Sequence, residues 1–210
     1  MRILVVDDHA VVREGLKRIL ARMEGSVYVG EAANAAEGLK LVRESNWDCA
    51  LVDIAMPGET GLELLKKLLR EQPDLPVLIL SMYPEEQYAV RTLRAGAAGY
   101  LTKESAAEQL LAAINTILRG EKYLSPRMAT QIASTVSTAK GGRPPHEELS
   151  DREFMVLRLI SSGATAGEIA RRLSLSVKTV STYRSRILRK LHLDNTAQLI
   201  AYAVKSGLVP

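Results

Sequence analysis

The chain has 210 residues, 47% of them hydrophobic, enough apolar material for one large or two small domains, which excludes a chain disordered throughout. One cysteine, no signal-like apolar segment after Met1-Arg2 and no apolar run near the roughly 20 residues that cross a bilayer lead us to expect a soluble, cytoplasmic protein without a membrane partner. The formal charge of +4 hides a division: residues 1–122 hold 15 Lys/Arg against 18 Asp/Glu, and residues 123–210 hold 13 against 6, so the second part is a candidate partner for a polyanion.

In chain order, five short apolar runs rich in β-branched residues read as strands: Ile3 to Val6, Val27 to Val29, Cys49 to Val52, Val77 to Leu80 and Ala98 to Leu101. Between them, Val12, Leu16, Ile19 and Leu20, then Leu39 and Val42, then Leu62, Leu65 and Leu69 fall at helical spacing. Continuous apolar strands alternating with amphipathic helices predict an α/β fold, a doubly wound five-stranded parallel sheet covered on both faces. A helix from about 105 to 119, capped at Arg119-Gly120, completes it, and the first domain is placed at 1–122. After Ser125-Pro126 comes a Ser/Thr/Ala stretch and then Lys140-Gly-Gly-Arg-Pro-Pro-His146, which reads as a linker over 123–146. Ser150-x-x-Glu153 and Thr165-x-x-Glu168 fit capping boxes, in which side chains satisfy the free N–H groups of a first helical turn. Apolar positions such as Val156, Leu157, Ile169, Val180 and Ile187 then predict a small all-α domain over 147–210.

Ligands of an open α/β sheet bind beyond the carboxyl ends of its strands. At that end strand one stops at Asp7-Asp8, strand three at Asp53 and strand four at Ser81, and strand five is followed by Lys103. Three carboxylates, a hydroxyl and an ammonium converging on one mouth need a cation, and hard oxygen donors at a partly open site suit Mg²⁺. An acidic trio with a metal and a lysine is what phosphoryl transfer requires. Asp53, ending the central strand, is the expected nucleophile, with Asp7 and Asp8 holding the metal.

The ordered set Asp7-Asp8-His9, Asp53-Ile-Ala-Met-Pro57 with Gly61-Leu62, Ser81, Ala95-Gly-Ala-Ala-Gly-Tyr100 and Lys103 resembles the receiver domain of two-component response regulators over about residues 1 to 120. The resemblance implies that Asp53 accepts a phosphoryl group from a sensor histidine kinase. It implies Mg²⁺ held by Asp8, Asp53 and the backbone carbonyl of Ala55, with Asp7 acting through water. Lys103 would pair with the phosphoryl oxygens, Ser81 would hydrogen-bond them and draw its loop inward, and Tyr100 would swing into the vacated space. The chain departs from the pattern where Glu104 replaces a proline after Lys103 and where Ser81 replaces the more frequent threonine. Ala55 and Tyr83 occupy positions that influence phosphate lifetime, and the bulky Tyr83 is expected to shield the acyl phosphate. Read one at a time these residues are bland: Asp-Asp after a strand is usually a helix cap, His9 lacks a second imidazole or thiol at ligand spacing, and Cys49 reads as a core thiol.

From Arg171 to Lys190 the chain has seven basic residues and no acidic one. Two helices of unequal length, about 166 to 173 and 177 to 191, are separated only by Ser174-Leu-Ser176, which is helix-turn-helix spacing. Ser176 would cap the second helix and aim its backbone N–H groups at a phosphate. Leu149-Ser-Asp-Arg-Glu153, Glu168-Ile-Ala170, Leu173-Ser-Leu-Ser176, Lys178-Thr179-Val180 and Ile187-Leu-Arg-Lys-Leu191 resemble the DNA-binding domain of the LuxR type. By that resemblance Ser181, Thr182 and Ser185 face bases of double-stranded DNA, and Lys178, Arg184, Arg186, Arg189 and Lys190 meet or flank phosphates. Ser176, Thr179 and Tyr183 complete the interface, Tyr183 standing where this type often carries histidine. A helix from about 196 to 206 would pair two copies on an inverted-repeat operator as a homodimer formed on phosphorylation.

Receiver, linker and LuxR-type domain together resemble the NarL/FixJ class of response regulator, which implies a phosphorylation-controlled transcription regulator and not an enzyme. Two rivals share the residues: a Mg²⁺-dependent aspartyl phosphatase and a constitutive DNA-binding protein.

Overall fold

The computed structural model describes residues 1–126, 128–130 and 144–209, with the side chains of Glu86 and Gln87 excepted. The chain divides into two compact units, Met1–Ile132 and Ala133–Pro210. Most of the expected linker, residues 127 and 131–143, lies outside the described residues. The first unit runs past the expected boundary at 122, because Tyr123 bridges to Gly99 and Met128 is buried.

The first unit alternates strands and helices: β1 (Arg2–Val6), α1 (Ala10–Leu20), β2 (Tyr28–Ala32), α2 (Ala35–Glu44), β3 (Cys49–Asp53), α3 (Gly61–Glu71), β4 (Val77–Ser81), α4 (Glu85–Arg94), β5 (Gly99–Thr102) and α5 (Ala106–Leu118). All pairings are parallel, in the order β2-β1-β3-β4-β5. Strand order reverses between β1 and β3, which places the ligand crevice at the ends of those two strands. On one face Ile3, Val5, Leu51 and Leu78 pack with Leu16, Leu20, Leu110 and Ile114. Every residue of β3 and β4 is buried, as strands covered on both faces must be.

Two elements are faintly marked in the sequence. Strand β2 runs on through Gly30 and Glu31, residues that hide a strand in sequence. Gly30 is there because Trp47 lies over it: a Cβ would stand 2.1 Å from the indole. Helix α4 follows only from the crossover between β4 and β5 and has no aliphatic spacing of its own in sequence, since its inner positions include Ala89 and Thr92 rather than long aliphatic residues. Buried Thr92 satisfies its hydroxyl on the Ala89 carbonyl at 2.8 Å. No cis peptide bond occurs among the described residues, so the bond after Lys103 is trans.

The second unit holds α6 (Asp151–Ser161), α7 (Ala166–Arg172), α8 (Val177–Lys190) and α9 (Thr196–Lys205). Ser150 with Glu153 and Thr165 with Glu168 form complete capping boxes, while Ser176 and Asn195 cap α8 and α9. Val156, Leu157, Ile169, Val180, Ile187 and Leu199 are buried. The corner between α7 and α8 is made by Ser174 at φ 51°, and the Leu175 N–H returns to the Ala170 carbonyl at 2.8 Å. Among the described residues no helix is long and apolar enough to cross a membrane.

Candidate functional site

The mouth of the sheet is built by where the apolar strands stop. Asp7 follows β1 directly, Asp53 ends β3, Ser81 ends β4 and Lys103 follows β5. Asp7 and Asp53 are each 1% exposed. Lys103 spans them, its Nζ 2.7 Å from Asp7 Oδ2 and 2.9 Å from Asp53 Oδ2. The Lys103 N–H also donates to the Ser81 carbonyl at 2.8 Å, which fixes the stem of that side chain to β4.

Burial pushes the Asp53 carboxyl above its ordinary pKa; Lys103 pulls it back and Asp7 adds to the rise. For Lys103, burial opposes the charge, but Asp53 and Asp7 outweigh it and hold the ammonium protonated. Asp53 Oδ1 accepts the Ala55 N–H at 3.3 Å. Asp7 Oδ1 accepts the His9 N–H at 2.8 Å, and Arg13 Nη1 donates to the Asp7 carbonyl at 2.7 Å. That role of Arg13, in the first turn of α1, has no signature in the sequence.

Asp7, Asp8, His9 and Asp53 each bring one ligand-capable atom within 4.8 Å of the others. His9 Nδ1 lies 3.0 Å from Asp8 Oδ1 but is largely exposed. Three carboxylates against one lysine leave the pocket anionic, and oxygen donors predominate, so the residues fit a hard divalent cation.

Gly61 opens α3 directly beneath Asp53: a Cβ there would lie 2.0 Å from the Asp53 carbonyl oxygen. Only glycine allows the helix so close, and the Gly61 N–H reaches the Ile54 carbonyl at 3.1 Å.

Ser81 and Tyr100 meet through one residue. Tyr83 donates its N–H to Ser81 Oγ at 3.0 Å and accepts the Tyr100 hydroxyl on its carbonyl at 2.7 Å. Tyr100 is fully buried, so in this structure the ring already lies inside. The Tyr83 ring stacks on Tyr88 of α4, with centroids 5.1 Å apart.

On α8, Lys178, Ser181, Thr182, Arg184, Ser185, Arg186 and Arg189 are exposed, and Thr179, Tyr183 and Lys190 are half-buried. The Ser176 cap accepts the Thr179 N–H at 3.0 Å. Thr182 and Ser185 donate to the carbonyls of Lys178 and Ser181, which turns their oxygen lone pairs outward as acceptors. Arg184 reaches Thr196 Oγ1 at 3.5 Å. Lys190 is committed elsewhere: its Nζ lies 2.6 Å from the buried Glu153 and 3.4 Å from the Glu148 carbonyl.

The family model for the response regulator receiver domain matches residues 3–115, and that for bacterial regulatory proteins of the luxR family matches 147–203. The chain is a two-component response regulator of the NarL/FixJ class. It is 40% identical to the response regulator GacA of Pseudomonas aeruginosa, over all of this chain and 98% of that protein. It is 35% identical to the response regulator UvrY of Escherichia coli over 99% and 95% of the two chains. Among solved structures it is similar to RcsB from Salmonella enterica serovar Typhimurium bound to promoter rprA with the phosphomimetic BeF3⁻, at 26% identity, 96% and 97% coverage and a TM-score of 0.62. In this response regulator Asp7, Asp53 and Lys103 meet at one end of the sheet, Ser81 ends the next strand and is joined to Tyr100 through Tyr83, and the residues expected to face DNA lie on or at the start of one helix in the other unit.

Proposed function

We propose that Asp53 is the phospho-acceptor of this response regulator, loaded by a sensor histidine kinase, and that loading controls binding of α8 to double-stranded DNA. The observation that carries the reading is Lys103 held between Asp7 and Asp53 at the reversal of strand order. A carboxylate oxygen of Asp53 attacks the phosphorus of a phosphohistidine, the P–N bond breaks, and the imidazole leaves with a proton. Lys103 then neutralises phosphoryl oxygen in place of carboxylate.

Asp8, Asp53 and the backbone carbonyl of Ala55, with Asp7 nearby, would hold Mg²⁺, which when bound would supply charge neutralisation on the phosphoryl oxygens. Ser81 and Tyr100 sense the group through Tyr83. The phosphoryl group biases an equilibrium that exists without it.

Ser181, Thr182 and Ser185 read base edges; Ser176, Lys178, Thr179, Tyr183, Arg184, Arg186 and Arg189 surround them at the backbone, with Lys190 flanking. The protein works in the cytoplasm, pairs as a homodimer on an inverted repeat when phosphorylated, and turns over no substrate. We place its receiver at 1–122, its linker at 123–146 and its DNA-binding domain at 147–210, with Tyr123 at the start of the linker still bridged to Gly99 of the receiver.

Intact-mass measurement after acetyl phosphate and Mg²⁺ tests the acceptor. One phosphoryl group on wild type and none on Asp53→Asn is expected. Equal labelling of both would reject Asp53, and continuous release of phosphate from a small phosphoester would favour the phosphatase rival.

A further inference from the structure

Beyond α5 the chain returns to the edge of the sheet. The Tyr123 N–H donates to the Ala98 carbonyl at 2.9 Å, its hydroxyl meets Gln109 Oε1 at 2.9 Å, and Lys122 Nζ donates to the Ala97 carbonyl at 2.8 Å. Ser125 then does two things at once. Its Oγ accepts the Met128 N–H at 3.1 Å and its carbonyl accepts the Ala129 N–H at 2.9 Å, starting a helical turn with Pro126 just inside the cap. Its hydroxyl also donates a hydrogen bond to the carboxylate of Glu85, the first residue of α4. Met128, in that same turn, is fully buried.

Glu85 stands two residues beyond Tyr83, the residue that joins Ser81 to Tyr100. Pro84, at the N-cap of α4, makes no side-chain cap hydrogen bond, and Glu85 in the first turn is tied to Ser125 instead. A continuous path of bonds therefore runs from Ser81 Oγ to the Tyr83 amide, through Pro84 to Glu85, and across to Ser125.

We propose that Glu85 and Ser125 form a latch by which the switch loop holds the first turn of the connector, and that phosphorylation of Asp53 opens it. The proposal rests on the reading of Asp53 as phospho-acceptor. When Ser81 turns its hydroxyl toward the phosphoryl group, the Tyr83 amide is drawn with it and the Glu85 carboxylate moves off Ser125. Hydrogen bonds weaken steeply with distance and angle, so a displacement of about 1 Å suffices. A hydroxyl donating to a carboxylate is among the stronger pairings, and its loss frees the Ser125 side chain that caps the turn, which loosens the turn by about tenfold or more.

The test is amide hydrogen exchange on the full-length chain, before and after acetyl phosphate with Mg²⁺, with intact mass counting the phosphoryl group independently. In wild type, phosphorylation should speed exchange at Met128 and Ala129 about tenfold. Glu85→Ala, which leaves the Ser125 cap in place, should exchange at the fast rate without phosphorylation and show no further change with it. Glu85→Gln keeps an oxygen acceptor and should restore protection before phosphorylation. Unchanged exchange in wild type carrying one phosphoryl group overturns the latch, as does a Glu85→Ala chain that behaves like wild type. Failure of Asp53 to take the group at all, read from the mass, overturns the acceptor reading and the trigger together.

Discussion

The ammonium of Lys103 lies 2.9 Å from the Asp53 carboxylate and 2.7 Å from that of Asp7, so one cation holds two buried anions apart at the end of the sheet. The same ammonium is placed to follow charge from Asp53 onto a phosphoryl group. Lys103→Met should therefore slow labelling of Asp53 by acetyl phosphate by more than about tenfold, the scale of one lost charge-assisted contact. Intact mass against time gives the rate, and a far-ultraviolet circular dichroism spectrum like wild type's would show that the sheet survives. An unchanged rate would remove Lys103 from the site.

Gly61 fixes the height of α3 beneath Asp53. Gly61→Ala forces a methyl into the Asp53 carbonyl, 2.0 Å away, and the helix or the strand end must shift. We expect a loss of about 1–3 kcal/mol in urea unfolding followed by Trp47 fluorescence, together with slower labelling of Asp53. Gly58, with nothing within 4 Å of its Cβ position but a φ of 76°, separates the two causes: substitution there strains a turn without touching β3.

Glu153 joins α6 to the end of α8 through Lys190 at 2.6 Å. Burial raises its pKa, yet the Lys190 ammonium and the Ser150 amide outweigh burial and hold it below the usual carboxylate range. A carboxylate depressed by folding contributes stability at pH values above its unfolded pKa and loses it as pH falls through the folded one. Glu153→Gln preserves the capping box and removes the charge, so it should destabilise by about 1 kcal/mol at pH 7, allowing for the half-exposed Lys190. Thermal unfolding from pH 7 to pH 3 should show that difference shrinking toward acid; a difference independent of pH would contradict the pairing.

Arg189 and Lys190 are neighbours in sequence with different assignments. Arg189 is exposed on α8, whereas Lys190 is bound to Glu153. Arg189→Ala should reduce the slope of log affinity against log salt by about 1 with little loss of stability. Lys190→Ala should lower the unfolding temperature and change that slope less. Fluorescence anisotropy on a DNA fragment selected from random sequence checks both.

Much of this site was legible because apolar strands end where chemistry begins. The runs that stop at Asp7, Asp53 and Ser81 mark both the sheet and its mouth, and the cap at Ser176 marks the start of α8, the helix proposed to face DNA. What the sequence hid was carried by main-chain groups and distant partners. Tyr83 links Ser81 and Tyr100 with its amide and carbonyl, groups every residue owns. Lys190 reads as one more cation of a basic run until the fold brings Glu153 to it from 37 residues away. Helix α4 was implied only by the parallel crossover, because its inner face includes alanine and a threonine that satisfies itself and no aliphatic period marks where it lies.

The central claim is that a phosphoryl group on Asp53 controls the affinity of α8 for DNA. Binding of the selected fragment should be measured for wild type and Asp53→Asn, each before and after acetyl phosphate with Mg²⁺, at one fixed salt concentration. The account predicts at least about a tenfold gain in affinity for wild type on phosphorylation, a shift of about 1.4 kcal/mol, and none for Asp53→Asn. Equal affinity in all four samples would contradict it.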